Sequence, residues 1–378
     1  MIALAMILSG FQSDEGAQNS PLNQCLQCEL DRLRQKHGFP GATCAYVLSD
    51  GTIGDIASGI ADTKTNAPVT MKSRMLAASI GKTFVGATVV GLSRDSLINL
   101  DAPLSCWLGK RNWYARLPNH ETITLRHLLT HSSGLPDHVY SPQFLQNQFF
   151  RELQPGDFFS PESLIECILD QPALFEAGRG WSYTDTGYIL LGLVIEAVTG
   201  DEYYEVVKQR FLKPLKLDMT TPSDRPNLPG LIAGYTSSDN AFGLPTKTLD
   251  ESGLLVWNPI LEWAGGGMIS TSHDLAIWAK LLYEGHAMQY DYLKELFQAV
   301  PISDDRSDVQ YGAGVVIEKG PLGDKWGHYG VIPGYVSSMR YYSKYGFAVA
   351  FQVNTDENAS DLINDMEQSL AETIFKCK

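Results

Sequence analysis

The sequence predicts an α+β protein: an antiparallel sheet built from both chain ends, flanked by helices, with a mostly helical lobe inserted between them. Three observations predict it. Strand-like runs occur near the start (Ala42–Leu48, Thr52–Ser58) and again near the end (Tyr311–Ile317, Trp326–Tyr329, Tyr335–Tyr342, Gly346–Val353). Helical periodicity dominates the stretch between them. At 378 residues the chain also exceeds the usual size of one domain. On this reading residues 21–75 and 305–378 form a sheet lobe, 76–304 a mostly helical lobe, and the site lies between the lobes, with 1–20 a tail or signal remnant. Chain ends that meet in space are common in such domains.

Taken in order, Pro21–Lys36 places Leu22, Leu26, Leu30 and Leu33 on one helical face and stops at Gly38. Ala42–Leu48 and Thr52–Ser58 read as a hairpin turned by Asp50-Gly51, and Gly59–Val69 as a loop. Ser79–Leu97 is helical, with Phe84, Val85, Val89, Val90 and Leu92 apolar. Ile123–Leu129 is a short helix running into a loop, Thr130–Pro136. Pro161–Leu169 is a helix with proline at its start. Thr184–Val198 is an apolar helix closed by Gly200, and Tyr203–Leu212 follows before Pro214. Pro222–Pro259, rich in Pro, Gly, Ser and Asp, reads as a long surface excursion. Thr271–Asp274 resembles a capping box ahead of Leu275–Leu282. Ser343–Gly346 turns the last two strands, and Ser360–Phe375 is a closing helix.

Composition narrows the function classes. A hydrophobic fraction of 44% and a charged fraction of 19% are those of a globular protein. A net charge of −14 argues against nucleic acid or an anionic membrane surface as partner. No apolar run reaches the roughly 18 residues that span a bilayer. Met1–Leu8 is short and apolar and lacks a basic flank, so export to the periplasm or medium is the expectation and a cytoplasmic location the alternative. Six scattered cysteines do not make a disulfide framework, and Cys25-x-x-Cys28 lacks the second pair a zinc site needs, which leaves it a structural or bridging role.

The chemistry concentrates in three places. Ser79 and Lys82 stand three residues apart at a helix start, so both side chains share a face and the hydroxyl meets the positive end of the helix dipole. Serine needs a base to become a nucleophile, and a desolvated lysine can serve. Tyr183, at the mouth of an apolar helix, brings a phenol fit for proton transfer. Gly330 on a late strand leaves no side chain over a substrate, so the N–H of Val331 can join that of Ser79 in an oxyanion hole.

Ser79-x-x-Lys82, Tyr183-x-Asp185 and His328-x-Gly330, in this order, resemble the three signatures of the serine β-lactamase and penicillin-binding protein superfamily. Within it they look most like the class C β-lactamase-like branch, which includes D-alanyl-D-alanine carboxypeptidases, D-aminopeptidases and family VIII esterases. Leu128–Leu135, Gly265–Leu275 and Gly334–Ser337 add to the likeness, which runs from about Gly38 to the C-terminus. The resemblance implies a β-lactamase/transpeptidase-like fold and hydrolysis through an acyl-enzyme on Ser79. Lys82 and Tyr183 would share proton transfer, while Asp185, His328, Tyr329 and Gly330 would bind a small-molecule or peptide substrate. No cofactor and no metal are implied. His328 in place of the K-T-G lysine favours a peptidase or amidase, with esterase second and β-lactamase third. Asp185 stands where the family usually has Asn; an ionised carboxylate cannot donate to a substrate carbonyl and favours a charged Lys82, which turns the expectation toward Tyr183 as the proton acceptor.

Rival readings are weaker. Gly81-Lys82-Thr83 ends like a P-loop, but position 76 is Leu and no buried strand precedes it. No serine sits in G-x-S-x-G. His131, Asp137 and His138 lack a recognised metal spacing, and His273 reads as a surface residue. Trp181, Trp263 and Trp326 suit either a groove or a core. A penicillin-binding fold kept only for binding would be expected to have lost Ser79, Lys82 or Tyr183; all three remain. The oligomeric state is left open.

Overall fold

A computed structural model describes residues 20–146, 160–289 and 291–377. The expectation for 1–20 therefore lies, Ser20 apart, outside the described residues.

Among the described residues, nine strands form one sheet in the order β3-β2-β1-β12-β11-β10-β9-β8-β7. The strands are β1 Gly41–Val47, β2 Ile53–Asp62, β3 Ala67–Pro68, β7 Val300–Pro301, β8 Val309–Tyr311, β9 Val316–Gly320, β10 Gly323–Ile332, β11 Tyr335–Tyr342 and β12 Phe347–Val353. A smaller sheet joins β4 Met75–Leu76, β5 Thr221–Pro222 and β6 Met268–Ser270 in the order β4-β6-β5. β1 pairs with β12 antiparallel, Ala42 opposite Val353, so the two chain ends share the sheet's centre.

That central position explains the composition of β1. All seven of its residues are buried, because both faces are covered. Ala42, Cys44 and Tyr46 pack with the terminal helices α1 (Pro21–His37) and α6 (Ala359–Cys377), while Ala45 and Val47 join the helical core on the other face. α1 starts where the Ser20 side chain accepts from the N–H of Asn23 at 3.1 Å and ends on Gly38 at φ 71°. Its four leucines are buried. Cys25 on α1 has its thiol beside that of Cys377 on α6, so α1 meets the last helix through that cysteine.

The largest apolar cluster runs from the inner face of the sheet into α2 (Gly81–Arg94), α3 (Leu125–Leu129), α4 (Asp185–Thr199) and α5 (Ser272–Tyr283). Phe84 stacks on Trp278 at 4.3 Å between centroids, and the Trp278 indole N–H donates to Thr83 at 2.7 Å. Full burial of both rings fixes α2 against α5.

Several expectations are corrected. Tyr311–Ile317 is two strands, because Gly312-Ala-Gly314 turns the chain with Gly314 at φ 73°. A Cβ on Gly314 would lie 2.5 Å from the carbonyl oxygen of Lys82, so glycine lets this turn press on α2 beside the site. Within Gly59–Val69, β2 continues to Asp62 and β3 pairs back on it. Pro222–Pro259 is anchored rather than a free excursion: Leu228, Leu244, Leu255 and Trp257 are buried against Met75, Ile269, Ile332 and Tyr335. Thr271 caps α5 through the N–H of Asp274, but the Asp274 carboxylate accepts from Met219 and Thr220 at 2.9 Å, so the reciprocal half of a capping box is absent. His273 is paired with Asp55 at 2.9 Å and only partly exposed.

Candidate active site

Ser79 lies in a single 3-10 turn, Ala78–Ile80, that leads directly into α2. Ala78, before it, has φ 47°, a left-handed backbone uncommon for a residue with a side chain. The turn is wedged against β10 and β11. Ser337 Oγ donates to the Ala77 carbonyl at 2.7 Å, and a Cβ on Gly330 would fall 2.4 Å from that oxygen and 2.9 Å from Ala78 Cβ. Gly330 thus clears room for the nucleophile's backbone, a tighter reason for glycine than an open path for substrate.

Lys82 is fully buried. Its Nζ has three neighbours: Ser79 Oγ at 3.1 Å, the Gly265 carbonyl oxygen and the Asp185 carboxylate. The latter two can only accept. The Gly265 carbonyl takes one N–H and Ser79 Oγ is within hydrogen-bond distance of the same nitrogen, while Asp185 meets it as a close charge contact whose Oδ1 makes no hydrogen bond of normal geometry. Asp185 is the first residue of α4, where a carboxylate suits the helix dipole.

Tyr183 lies beside this pair, its ring centroid 5.0 Å from Lys82 Nζ. Its hydroxyl is buried and has no hydrogen-bond partner of normal geometry. Burial, and next the charge of Asp185, push the phenol well above its usual value of 10, while the nearby Ser79 hydroxyl acts the other way. His131 and Tyr311 pack around it.

His328 is 2% exposed with both ring nitrogens engaged. Nδ1 donates to the Tyr329 carbonyl at 2.6 Å, so Nε2 accepts from the Tyr311 hydroxyl at 2.9 Å. Burial, then the charge of Lys82, pull the imidazole down to about 3. His328 is therefore a neutral strut with no spare N–H, unlike the lysine it replaces in the resembled motif. Tyr329 pairs across the ladder with Ser338 and His328 with Met339, so their side chains leave β10 on opposite faces. Tyr329 is 43% exposed, and the Arg340 guanidinium lies 5.7 Å from its ring at the cavity rim. β9 pairs with β10 only as far as Gly327, so from His328 to Ile332 one edge of β10 carries no strand and borders the cavity, with Val331 on it.

The cavity has a volume of about 700 Å³. Its wall includes Ser79, Tyr183, Asp185 and two carboxyls that the motifs do not mark for this role, Asp137 and Glu262. Both are pushed up to about 7, first by burial and next by the negative charge of Asp185. Neither lies in an amphipathic pattern; only their nearness to His131 and to Gly265 in sequence hints at the site. Tyr140, Phe144, Leu145 and Phe242 supply an apolar side. Trp181 borders the cavity, while Trp263 and Trp326 pack in the core. Among the described residues no group of His, Cys, Asp and Glu is disposed to hold a metal ion; His131 and His138 are instead spent on Thr184 and Thr186.

Comparison with known proteins identifies the family and the fold. A family model described as Beta-lactamase matches residues 26–372. Penicillin-binding protein 4* of Bacillus subtilis (strain 168) is 25% identical over 346 residues, covering 88% of this chain and 72% of that protein. A D-stereospecific amidohydrolase from Streptomyces sp. superposes with a TM-score of 0.78 at 29% identity, covering 93% of this chain and 98% of the other. A D-amino acid amidase from Ochrobactrum anthropi SV3, complexed with D-phenylalanine, shares the fold at a TM-score of 0.78 and 24% identity, covering 94% and 99%. The chain belongs to the Beta-lactamase family.

Proposed function

We propose that this protein is a serine amidohydrolase that forms an acyl-enzyme at Ser79 and acts on amides or small peptides whose acyl part carries a free amine, as a D-amino acid amide does. The observation that carries the reading is the charge of the cavity wall. Asp137, Asp185 and Glu262 border the cavity, and Lys82 is the ammonium that faces them. A substrate ammonium supplies the missing positive charge. A carboxypeptidase needs the reverse, a cation for the terminal carboxylate. Both arginines bordering the cavity already have a carboxylate partner, Arg306 with Asp308 and Arg340 with Glu367, although Arg340 Nη1 makes no hydrogen bond. Similarity to a D-stereospecific amidohydrolase at 29% identity supports amide chemistry.

The mechanism follows from which groups can accept. In its amine form Lys82 turns a lone pair to Ser79 Oγ, 3.1 Å away. As Oγ attacks the carbonyl carbon, the serine proton passes to Lys82, and the N–H groups of Ser79 and Val331 hold the oxyanion. Tyr183, kept as a neutral phenol by burial, gives its proton to the leaving nitrogen as the C–N bond breaks, and regains one from Lys82. Water then cleaves the ester by the reverse sequence. This makes Tyr183 a donor in acylation, contrary to the acceptor role that Asp185 suggests in the sequence, because burial and Asp185 both disfavour a phenolate.

A D-amino acid p-nitroanilide assayed against its N-acetyl derivative tests the reading. The free amine is expected to be preferred by at least about tenfold in kcat/KM, a 1.4 kcal/mol difference; equal rates remove the amine. A fluorophosphonate is expected to add mass at Ser79 and not to the Ser79→Ala protein. No added mass in the wild type would leave a binding protein in place of an enzyme.

A further inference from the structure

His131 is fully buried and sits at φ 57°, in the left-handed region. Its main-chain carbonyl accepts from the N–H of Ser182 at 3.0 Å, and its Nδ1 accepts from the N–H of Thr184 at 3.2 Å. These two hydrogen bonds fall on either side of Tyr183. The imidazole itself packs on the Tyr183 ring, with centroids 4.2 Å apart and planes tilted by 38°. The imidazole also meets Tyr311 at 4.4 Å and Tyr188 at 5.1 Å.

Since Nδ1 accepts, the neutral ring carries its proton on Nε2, and that nitrogen is buried without a partner. An apolar side chain would spare the protein this orphaned donor, and glycine would spare it the positive φ. Neighbouring loop groups pair with the same segment: Gly178 N–H donates to the Ser132 carbonyl at 2.8 Å, and Leu174 N–H to that of Gly134 at 2.8 Å. The 131–134 loop is thus a splint along residues 174–184, and His131 is the point where splint and phenol meet.

We propose that His131 is the positioning residue for Tyr183, bracketing it through the N–H groups of Ser182 and Thr184 and fixing its ring, so that the hydroxyl is held beside Ser79 without a hydrogen bond of normal geometry to any fixed group. This rests on the proton-transfer role given to Tyr183. A phenol anchored through its backbone and ring keeps its hydroxyl free to turn from one proton partner to the next, which a hydrogen bond to a fixed group would prevent.

A double-mutant cycle tests it. His131→Phe keeps an aromatic face and removes the acceptor; His131→Asn keeps an acceptor close to the Nδ1 position and tolerates the left-handed backbone. His131→Phe is expected to lower kcat by about 10²-fold, the scale of a small misplacement of a reacting group, with KM little changed. His131→Asn is expected to recover a substantial part of that loss. In a Tyr183→Phe background neither variant is expected to lower kcat further. Equal factors in both backgrounds, or wild-type kcat in both single variants, overturn the proposal. Wild-type kcat in Tyr183→Phe alone overturns the role of Tyr183 itself, a separate result. Near-ultraviolet circular dichroism and thermal unfolding give the folded fraction; should His131→Phe fail to fold, His131→Asn and His131→Gln carry the same cycle.

Discussion

Among the described residues, a buried charge cluster lies on each face of one strand ladder. On the face covered by α1 and α6, Glu367 is 3% exposed and accepts from Arg340 at 2.8 Å, Lys325 at 2.9 Å and Ser338 at 2.6 Å. Burial by itself would raise its carboxyl, but Arg340 and Lys325 outweigh that and hold it down at about 2. On the inner face, one buried lysine answers Asp185, while Asp137 and Glu262 stand at about 7. The chemistry of the side chains is the same. What differs is the balance of charge: in the first cluster two cations answer one buried carboxylate and hold an element in place, whereas the second is short of positive charge and borders a cavity where, on the proposed function, a substrate ammonium supplies it.

The largest expected effect comes from removing the lysine of the inner cluster. Lys82→Ala is expected to lower kcat/KM by about 10²–10⁴-fold, read with the free-amine anilide, since Ser79 loses its proton partner. The outer cluster responds differently. Glu367→Gln is expected to cost about 3–5 kcal/mol in urea unfolding, because Arg340 and Lys325 lose their buried countercharge, while kcat per folded molecule holds. A large fall in kcat there would erase the distinction between the clusters.

A smaller effect separates them by sign. For Glu367 the folded value lies below the unfolded one of about 4.3, so its stabilisation is present above that pH and fades as pH falls toward about 2. For Asp137 and Glu262 the folded values lie above the unfolded ones, so stability is fullest below about pH 4 and fades as pH rises through about 7. Glu262→Gln is accordingly expected to raise Tm by about 2 °C at pH 8 and less at pH 5, while raising KM for the free-amine substrate. A loss of Tm at pH 8 would mean that Glu262 has a stabilising partner. The smallest expected change is at Asp185→Asn, which restores a donor amide and is expected to increase acylation of Ser79 by a β-lactam, read by mass.

Much of this was legible in the chain. Period-2 strands at both ends and leucines at helical spacing in 21–36 are local signals, and they lead to the mixed fold whose β1 and β12 pair at the sheet's centre. Ser79, Lys82, Tyr183, Asp185 and His328 stand in ordered motifs, and the fold gathers them around one cavity. Glu262 and Asp137 were not legible for their role in the wall, since a lone acidic residue in a loop looks like any solvated charge. The role of His328 was misleading for a similar reason: the motif fixes its place on β10, while Tyr311 and the Tyr329 carbonyl, met only in the fold, decide that it has no hydrogen to spare.

By itself the sequence determined which backbone periods form, where turns fall, and which reactive side chains can share a helix face, because these depend on neighbours a few residues away. Only the tertiary structure decided the protonation states and pairings that set the chemistry. Burial and groups distant in sequence, Asp185 acting on Asp137 and Glu262 and Tyr311 bonded to His328, govern those, and no local pattern records them.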